Sequence, residues 1–313
     1  MFPVRFGRVG TSGGVAVIAA CLMAVIQSAT TLAAINNSSV VTRKATVMVA
    51  DGGNGAATAH CPTGDLVETG GAYWHPLGTD VSDPSLNAYL RSSAPLTNLS
   101  GWYATGTNHS GQDMNFTTIV RCVPQAQLGT HAVKTREVVV DPGRPGNADL
   151  RCASGQTAIA GGGVWHKPGA SPKAGLAAYV TSSIFDAGFH GVDPGWSVAG
   201  WNASTTILDL RVSVLCVGTG VLATGFGGGG GGGAESYGQT AQDYDTCGGS
   251  LKILSGGVSW GYPGGQIDTD TQNEIESSAP TADGSAWYSA VRYSDIRRSG
   301  AYEYVDTENL CIG

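Results

Sequence analysis

The chain has 313 residues, of which only 13% are charged, and it carries 48 glycines and a formal net charge of −7. An acidic, lysine-poor surface lacks the basic footprint that nucleic acids and anionic membranes require, so neither is an expected partner. Residues that favour helices are thin, while small, β-branched and aromatic residues are common, and the expected fold class is all-β.

Residues 1–34 read as a secretory signal peptide. Arg5 and Arg8 form the positive end, Val15 to Ile26 the apolar centre, and Thr31-Leu32-Ala33-Ala34 a small-residue exit. The alternative is an N-terminal membrane anchor, because no charge falls between Thr11 and Asn37. Polar Gln27, Ser28, Thr30 and Thr31 weigh against a span. With the signal removed, no membrane association is expected, and the location is secreted or cell surface, extracellular or periplasmic.

Beyond the signal, one pattern occurs three times: Cys-x8-Gly-Gly-x-x-Trp. It runs from Cys61 to Trp74 with Gly70 and Gly71, from Cys152 to Trp165 with Gly161 and Gly162, and from Cys247 to Trp260 with Gly256 and Gly257. Each copy is followed by paired serines, a second Trp (Trp102, Trp196, Trp287) and a closing cysteine (Cys122, Cys216, Cys311). A fixed spacing kept three times marks an internal triplicate. The repeats are placed at 44–124, 134–218 and 219–313.

In each repeat two short strands and a turn precede the signature. Repeat one has Val47-Met48-Val49 and then Asp51 to Gly55; repeat two has Val138-Val139-Val140 and then Asp141 to Gly146. In repeat three the polyglycine run 227–233 aligns with those turns and is expected to be an expanded hairpin turn rather than a linker. Closing strands alternate, as in Leu208, Leu210, Val212 and Val214 against Asp209, Arg211 and Ser213. Repeat three breaks that period around Tyr302, Tyr304 and Val305, which predicts a bulge or an edge. About six strands per repeat result, as three tandem β-sandwich-like repeats or, alternatively, one pseudo-threefold β-prism.

Six of the seven cysteines bracket the repeats, which suits a disulfide framework in an oxidising compartment. Repeat logic pairs Cys61 with Cys122, Cys152 with Cys216, and Cys247 with Cys311. Metal sites favour close cysteine pairs, which are missing. His75 and His166 follow a signature Trp, but Gly261 replaces them in repeat three, so no symmetric metal site and no cofactor is expected.

Glycine in a strand implies close backbone approach, so each Gly pair is read as room for a neighbouring Trp or for a sheet corner. A phosphate-binding loop does not fit, because no helix-forming stretch follows the glycines. The repeated Trp residues are read as core. Tyr73, Trp201, Tyr103 and Tyr288 are the better candidates for a ligand-binding surface. There is no Gly-x-Ser-x-Gly elbow, and the acidic set Asp268, Asp270, Glu274 and Glu276 reads as a solvated strand face, so no catalytic residue is proposed and an enzyme is not expected. Asn98, Asn108, Asn115 and Asn202 begin glycosylation sequons.

The opening Arg-Phe-Gly-Arg with Gly-Gly-Val-Ala-Val resembles the N-termini of pseudopilin-like, pilus-associated proteins, although the acidic residue of pilins is missing. The pattern Cys-Pro-x-Gly (complete at Cys61-Pro62-Thr63-Gly64), Gly-Gly, Ser-Ser-x-Pro, Gly-Trp and closing Cys resembles modules of uncharacterised secreted bacterial proteins. That resemblance implies export and β-structure. The expected function is a non-catalytic structural, cell-surface or appendage protein, with a glycan-binding, lectin-like protein as the alternative. Extracellular glycans or copies of the same chain are the expected partners.

Overall fold

The computed structural model describes residues 35–80, 87–186, 193–218, 225–231, 239–262, 266–267, 273–293 and 304–312. Residues 1–34, read above as a signal peptide, lie outside them together with Cys21. Repeat one supplies β1 (Val41–Val49), β2 (Asn54–His60), β3 (Asp65–Pro76), β4 (Ala88–Pro95), β5 (Gly101–Asn108) and β6 (Met114–Pro124). A single helical turn, α1 (Gln125–Leu128), leads to repeat two: β7 (His131–Val140), β8 (Arg144–Arg151), β9 (Gln156–His166), β10 (Ala178–Asp186), β11 (Gly195–Asn202) and β12 (Leu208–Gly218). Repeat three supplies β13 (Gly225–Gly231), β14 (Thr240–Thr246), β15 (Lys252–Tyr262), β16 (Gln266–Ile267), β17 (Glu274–Pro280), β18 (Ala286–Arg292) and β19 (Tyr304–Ile312). The protein is all-β, as composition implied.

The strands of each repeat divide between two facing layers, so each repeat is sandwich-like. Every layer is then continued by strands of another repeat. The first sheet runs β1-β6-β3-β17-β18-β14 and joins repeat one to repeat three. The second, β2-β5-β4-β9-β12-β7, joins one to two, and the third, β13-β19-β15-β10-β11-β8, joins three to two. The repeats therefore close into a ring with pseudo-threefold symmetry, the prism arrangement, and are not independent beads. Each seam is narrow and falls at the same place: Ser93 pairs with Gly163, Ser183 with Val258, and Ser278 with Ala72.

The Gly pair and the Ser pair explain the ring. A Cβ on Gly70, Gly161 or Gly256 would run into the ring of Trp102, Trp196 or Trp287 of the same repeat. A Cβ on Gly71, Gly162 or Gly257 would collide with the carbonyl oxygen of Ser278, Ser93 or Ser183 in the adjoining repeat. One glycine seats an indole; the next lets two repeats touch. The serines divide in the same way. The indole N–H of Trp102, Trp196 and Trp287 donates to the second serine of its own repeat, Ser93, Ser183 and Ser278, at 2.9, 3.0 and 3.1 Å. The first serine reaches across the seam: Trp165 N–H donates to Ser92 Oγ at 3.1 Å, and the Ser182 hydroxyl donates to Val258 O at 3.4 Å. The three indoles surround the axis and leave a void of about 20 Å³, room for about one water.

All three disulfides form as the repeat logic paired them, and each ties the end of a repeat's second strand to its closing strand across the two layers. Each encloses a separation of 61 to 64 residues, worth about 4 kcal/mol in the chain-entropy model.

Three expectations need correction. First, residues 227–231 do not turn. They belong to β13 and pair with β19, with Gly227 opposite Asn309 and Gly231 opposite Asp306, because ladder hydrogen bonds need backbone only. Residues 232–233 lie outside the described residues. Second, β19 is a central strand and not an edge; a bulge does occur against it, between Gly227 and Gly230 of β13 opposite Asn309 and Thr307, besides the one on β15 that all three repeats share. The inward positions of β19 alternate after all, as Val305, Thr307, Asn309 and Cys311; two are polar, which hid the period. Third, Glu274 and Glu276 do not form a solvated face. Glu276 is buried and accepts from Thr240 Oγ1 at 3.2 Å, while burial pushes the Glu274 carboxyl up to about 7. Asp268 and Asp270 lie outside the described residues.

Candidate ligand-binding cleft

Alternation along each strand decides which aromatic rings meet solvent. Trp74 and Trp165 point inward and are each 1% exposed, so neither can serve as a stacking platform. The Trp260 side chain lies outside the described residues. Tyr73, one residue before Trp74, takes the opposite face of β3. Across the seam, Tyr288 of β18 lies opposite Ala279 of β17 on one side and Tyr244 of β14 on the other. Two of the four candidate ligand-binding residues, Tyr73 and Tyr288, thus come from different repeats to one concavity on the outer face of the first sheet.

That cleft has a volume of about 260 Å³. Its floor is Ile119, Ala279 and Pro280, and its walls include Tyr73, Tyr244 and Tyr288. Tyr244 and Tyr288 are tilted against each other with ring centroids 4.6 Å apart, and Tyr244 is 53% exposed. One rim is polar. Lys44 Nζ donates to Asp80 Oδ2 at 2.5 Å, Tyr73 Oη donates to Asp80 Oδ1 at 2.7 Å, and the Lys44 ammonium stands 5.5 Å from the Tyr73 ring centroid. Burial pushes the Tyr73 phenol up to about 12. At Asp80 burial pulls upward, but the bonds from Lys44 and Tyr73 win and hold the carboxyl below its usual range. The rim is therefore a fixed set of one cation, one carboxylate and one phenol at any pH near neutrality.

Tyr103 reaches the corresponding cleft on the second sheet, about 380 Å³, with Pro95, Val164, Pro172 and Arg211. There Val164 stands where the first sheet has Tyr73, and one tyrosine remains instead of three. Trp201 is not in either cleft; it sits on the third sheet between Tyr179 and Pro145. On the β19 side of the same sheet the chemistry turns acidic. Burial first, then the Asp306, Asp186 and Asp245 carboxylates, push Glu308 up to about 7. Glu308 occupies the strand position held by Ile119 and Ser213 in the other repeats. Tyr244 was missed at the sequence level because it lies on a second strand whose partner strand, β18, is more than 40 residues away.

Two sequon asparagines are structural. Asn108 and Asn202 are fully buried, and each amide donates to two backbone carbonyls, Val49 and Gln112 or Val140 and Thr206. Asn98 is exposed and Asn115 half-buried. Among the lone histidines, His131 Nδ1 bonds the Gly129 carbonyl at 2.9 Å, His109 lies beside the Tyr89 ring, and His60 is exposed at the end of β2; His190 lies outside the described residues.

Three intramolecular disulfides in an all-β chain fit an extracellular protein. Among the described residues no helix is long and apolar enough to cross a membrane. No family model matches the chain, and no curated protein matches it.

Proposed function

We propose that this is a secreted, non-catalytic adhesive protein that binds carbohydrate in the cleft of the first sheet. The observation that carries the reading is the convergence of Tyr73, Tyr244 and Tyr288 from two repeats beside the Lys44–Asp80 pair. Sugars present apolar C–H faces and a rim of hydroxyls. Tyrosine rings match the first, and a carboxylate with an ammonium matches the second. The walls are built on strands, so they are held in place before a ligand arrives and little ordering cost falls on binding. A glycan array probed with the full chain tests this. Tyr244→Ala, at a half-exposed ring, should leave the fold intact and reduce the best signal at least tenfold; unchanged binding by that variant refutes the assignment.

Self-association as part of a surface layer or filament has its own supporting observation. Met48 and Val139 occupy matching positions on the edge strands β1 and β7, and both are exposed, at 62% and 68%. Exposed apolar residues on unpaired edges favour strand addition from another chain. Sedimentation of Met48→Lys and Val139→Lys against the parent chain separates the two readings, since neither residue lines the carbohydrate cleft.

A further inference from the structure

We propose that repeat two holds a divalent transition-metal ion between Glu137, His166 and Asp209. The expectation of no metal site rested on symmetry, but this site exists in one repeat only. Asp209 of β12 lies directly opposite His166 of β9, and Glu137 of β7 lies opposite Arg211, two residues further along the same face of β12. One potential ligand atom from each of the three lies within 4.8 Å of the other two.

Hydrogen-bond chemistry shows what this arrangement lacks. His166 is 3% exposed, and its Nδ1 stands 3.0 Å from the Lys167 carbonyl oxygen. A carbonyl can only accept, so Nδ1 carries the hydrogen, and Nε2 of the neutral ring presents a lone pair. That lone pair faces Glu137 Oε1 at 3.2 Å. Asp209 is 6% exposed, and its buried Oδ1 has no hydrogen-bond donor at all. A proton on Nε2 would serve Glu137 and leave Asp209 unanswered. A cation between the three atoms answers every one. Arg211 does not substitute for it: although it lies opposite Glu137, the side chain lines the neighbouring cleft and its buried Nε has no hydrogen-bond partner.

Repeat one shows the same framework without the site. There His75 Nε2 is bonded to Thr117 Oγ1 at 2.8 Å, and Thr117 in turn to Thr46 Oγ1 at 2.7 Å. Repeat two replaces Thr46 by Glu137, Thr117 by Arg211 and Asn115 by Asp209, in register. A closed hydroxyl chain beside the imidazole becomes two carboxylates beside it, with the Arg211 side chain turned into the neighbouring cleft. Nitrogen and oxygen donors without sulfur suit Zn²⁺ and neighbouring divalent ions, and three protein ligands leave a position for water or a ligand oxygen. The Lys167 carbonyl supplies the outer hydrogen bond that orients a metal-binding imidazole.

The test is calorimetric titration of Zn²⁺ into the untagged, chelator-stripped full chain in a Cys21→Ser background, which removes the seventh cysteine as a thiol ligand. One ion should bind per chain at micromolar concentration or tighter, while Mg²⁺ gives no heat. Asp209→Asn should weaken binding about 100-fold. Because Asp209 is buried, Glu137→Gln, at a half-exposed site, is the second variant and should weaken binding at least tenfold. Co²⁺ should give visible absorption bands of low coordination number in the parent and lose them in both variants. Absence of one-to-one Zn²⁺ binding, or binding in folded Glu137→Gln equal to the parent, overturns the proposal.

Discussion

Repeats one and two carry the same bulge on their third strand with opposite chemistry. In repeat one the bulged residue is Glu68, fully buried, and Arg121 Nε donates to its Oε2 at 3.1 Å. In repeat two the matching residues are Ile159 and Leu215, and in repeat three Leu254 and Leu310, all buried. The fold therefore accepts either an ion pair or two aliphatic side chains at one place. Burial pushes Glu68 up to about 7 against the downward pull of Arg121, so desolvation outweighs attraction. The guanidinium also abuts Gly284 of repeat three, where a Cβ would overlap it. The comparison teaches that shape at this bulge is held by the backbone and its glycines, and that charge there is a local variation.

That lesson can be broken most severely at the seams. Gly162→Val puts a branched side chain against the Ser93 carbonyl, and strands cannot part without opening the ring. Stability should fall by about 3 kcal/mol or more in urea unfolding. If Gly162→Val unfolds like the parent, the backbone does not hold the shape. Next in size, Arg121→Leu alone strands Glu68 without its partner; a loss of about 2 kcal/mol is expected at neutral pH, limited because the carboxyl can take up a proton. The double change Glu68→Ile with Arg121→Leu copies repeat two into repeat one and should recover the loss and gain about 1 kcal/mol. A double variant less stable than Arg121→Leu would show that the pair is required in its own repeat.

The smallest effect expected is in pH dependence, and it sharpens the contrast between the acidic third repeat and the other two. Glu308 and Asp245 are raised to about 7 and about 6, burial being the first cause of each. A carboxyl whose folded pKa exceeds its unfolded value takes up its proton preferentially in the folded state. Its stabilising contribution is present below about pH 4 and is lost as pH rises towards 7. Urea midpoints should therefore be higher near pH 5 than near pH 8. Glu308→Gln should flatten that slope by about 1 kcal/mol at most, since the residue is partly solvated. A slope of the opposite sign in the parent would remove the acidic cluster from the account.

Much of the cleft was legible one residue at a time. Tyr73 and Tyr288 stood out as aromatics beside repeated core Trp residues, because alternation sends neighbours to opposite faces. Their meeting was not legible, since it depends on a seam between repeats one and three, about 200 residues apart. The Glu137–His166–Asp209 group was hidden by a different cause. In the sequence His166 is one of two histidines that the third repeat lacks, and Asp209 is a polar residue of an alternating strand. Only the register of β7 against β12 places Glu137 beside them. A signal did exist in the alignment of repeats, where Thr46, Thr117 and Asn115 all change together in repeat two.

Sequence alone determined the threefold plan, the strand period, the cystine pairing and the room that a glycine of each pair leaves for a Trp. Each is a local or periodic property, written in spacing and side-chain alternation. Tertiary structure decided which repeat completes each sheet and which outward side chains share a face. A strand edge offers the same N–H and C=O groups to any neighbour, so pairing between repeats depends on where the ring closes, and spacing along the chain cannot express it.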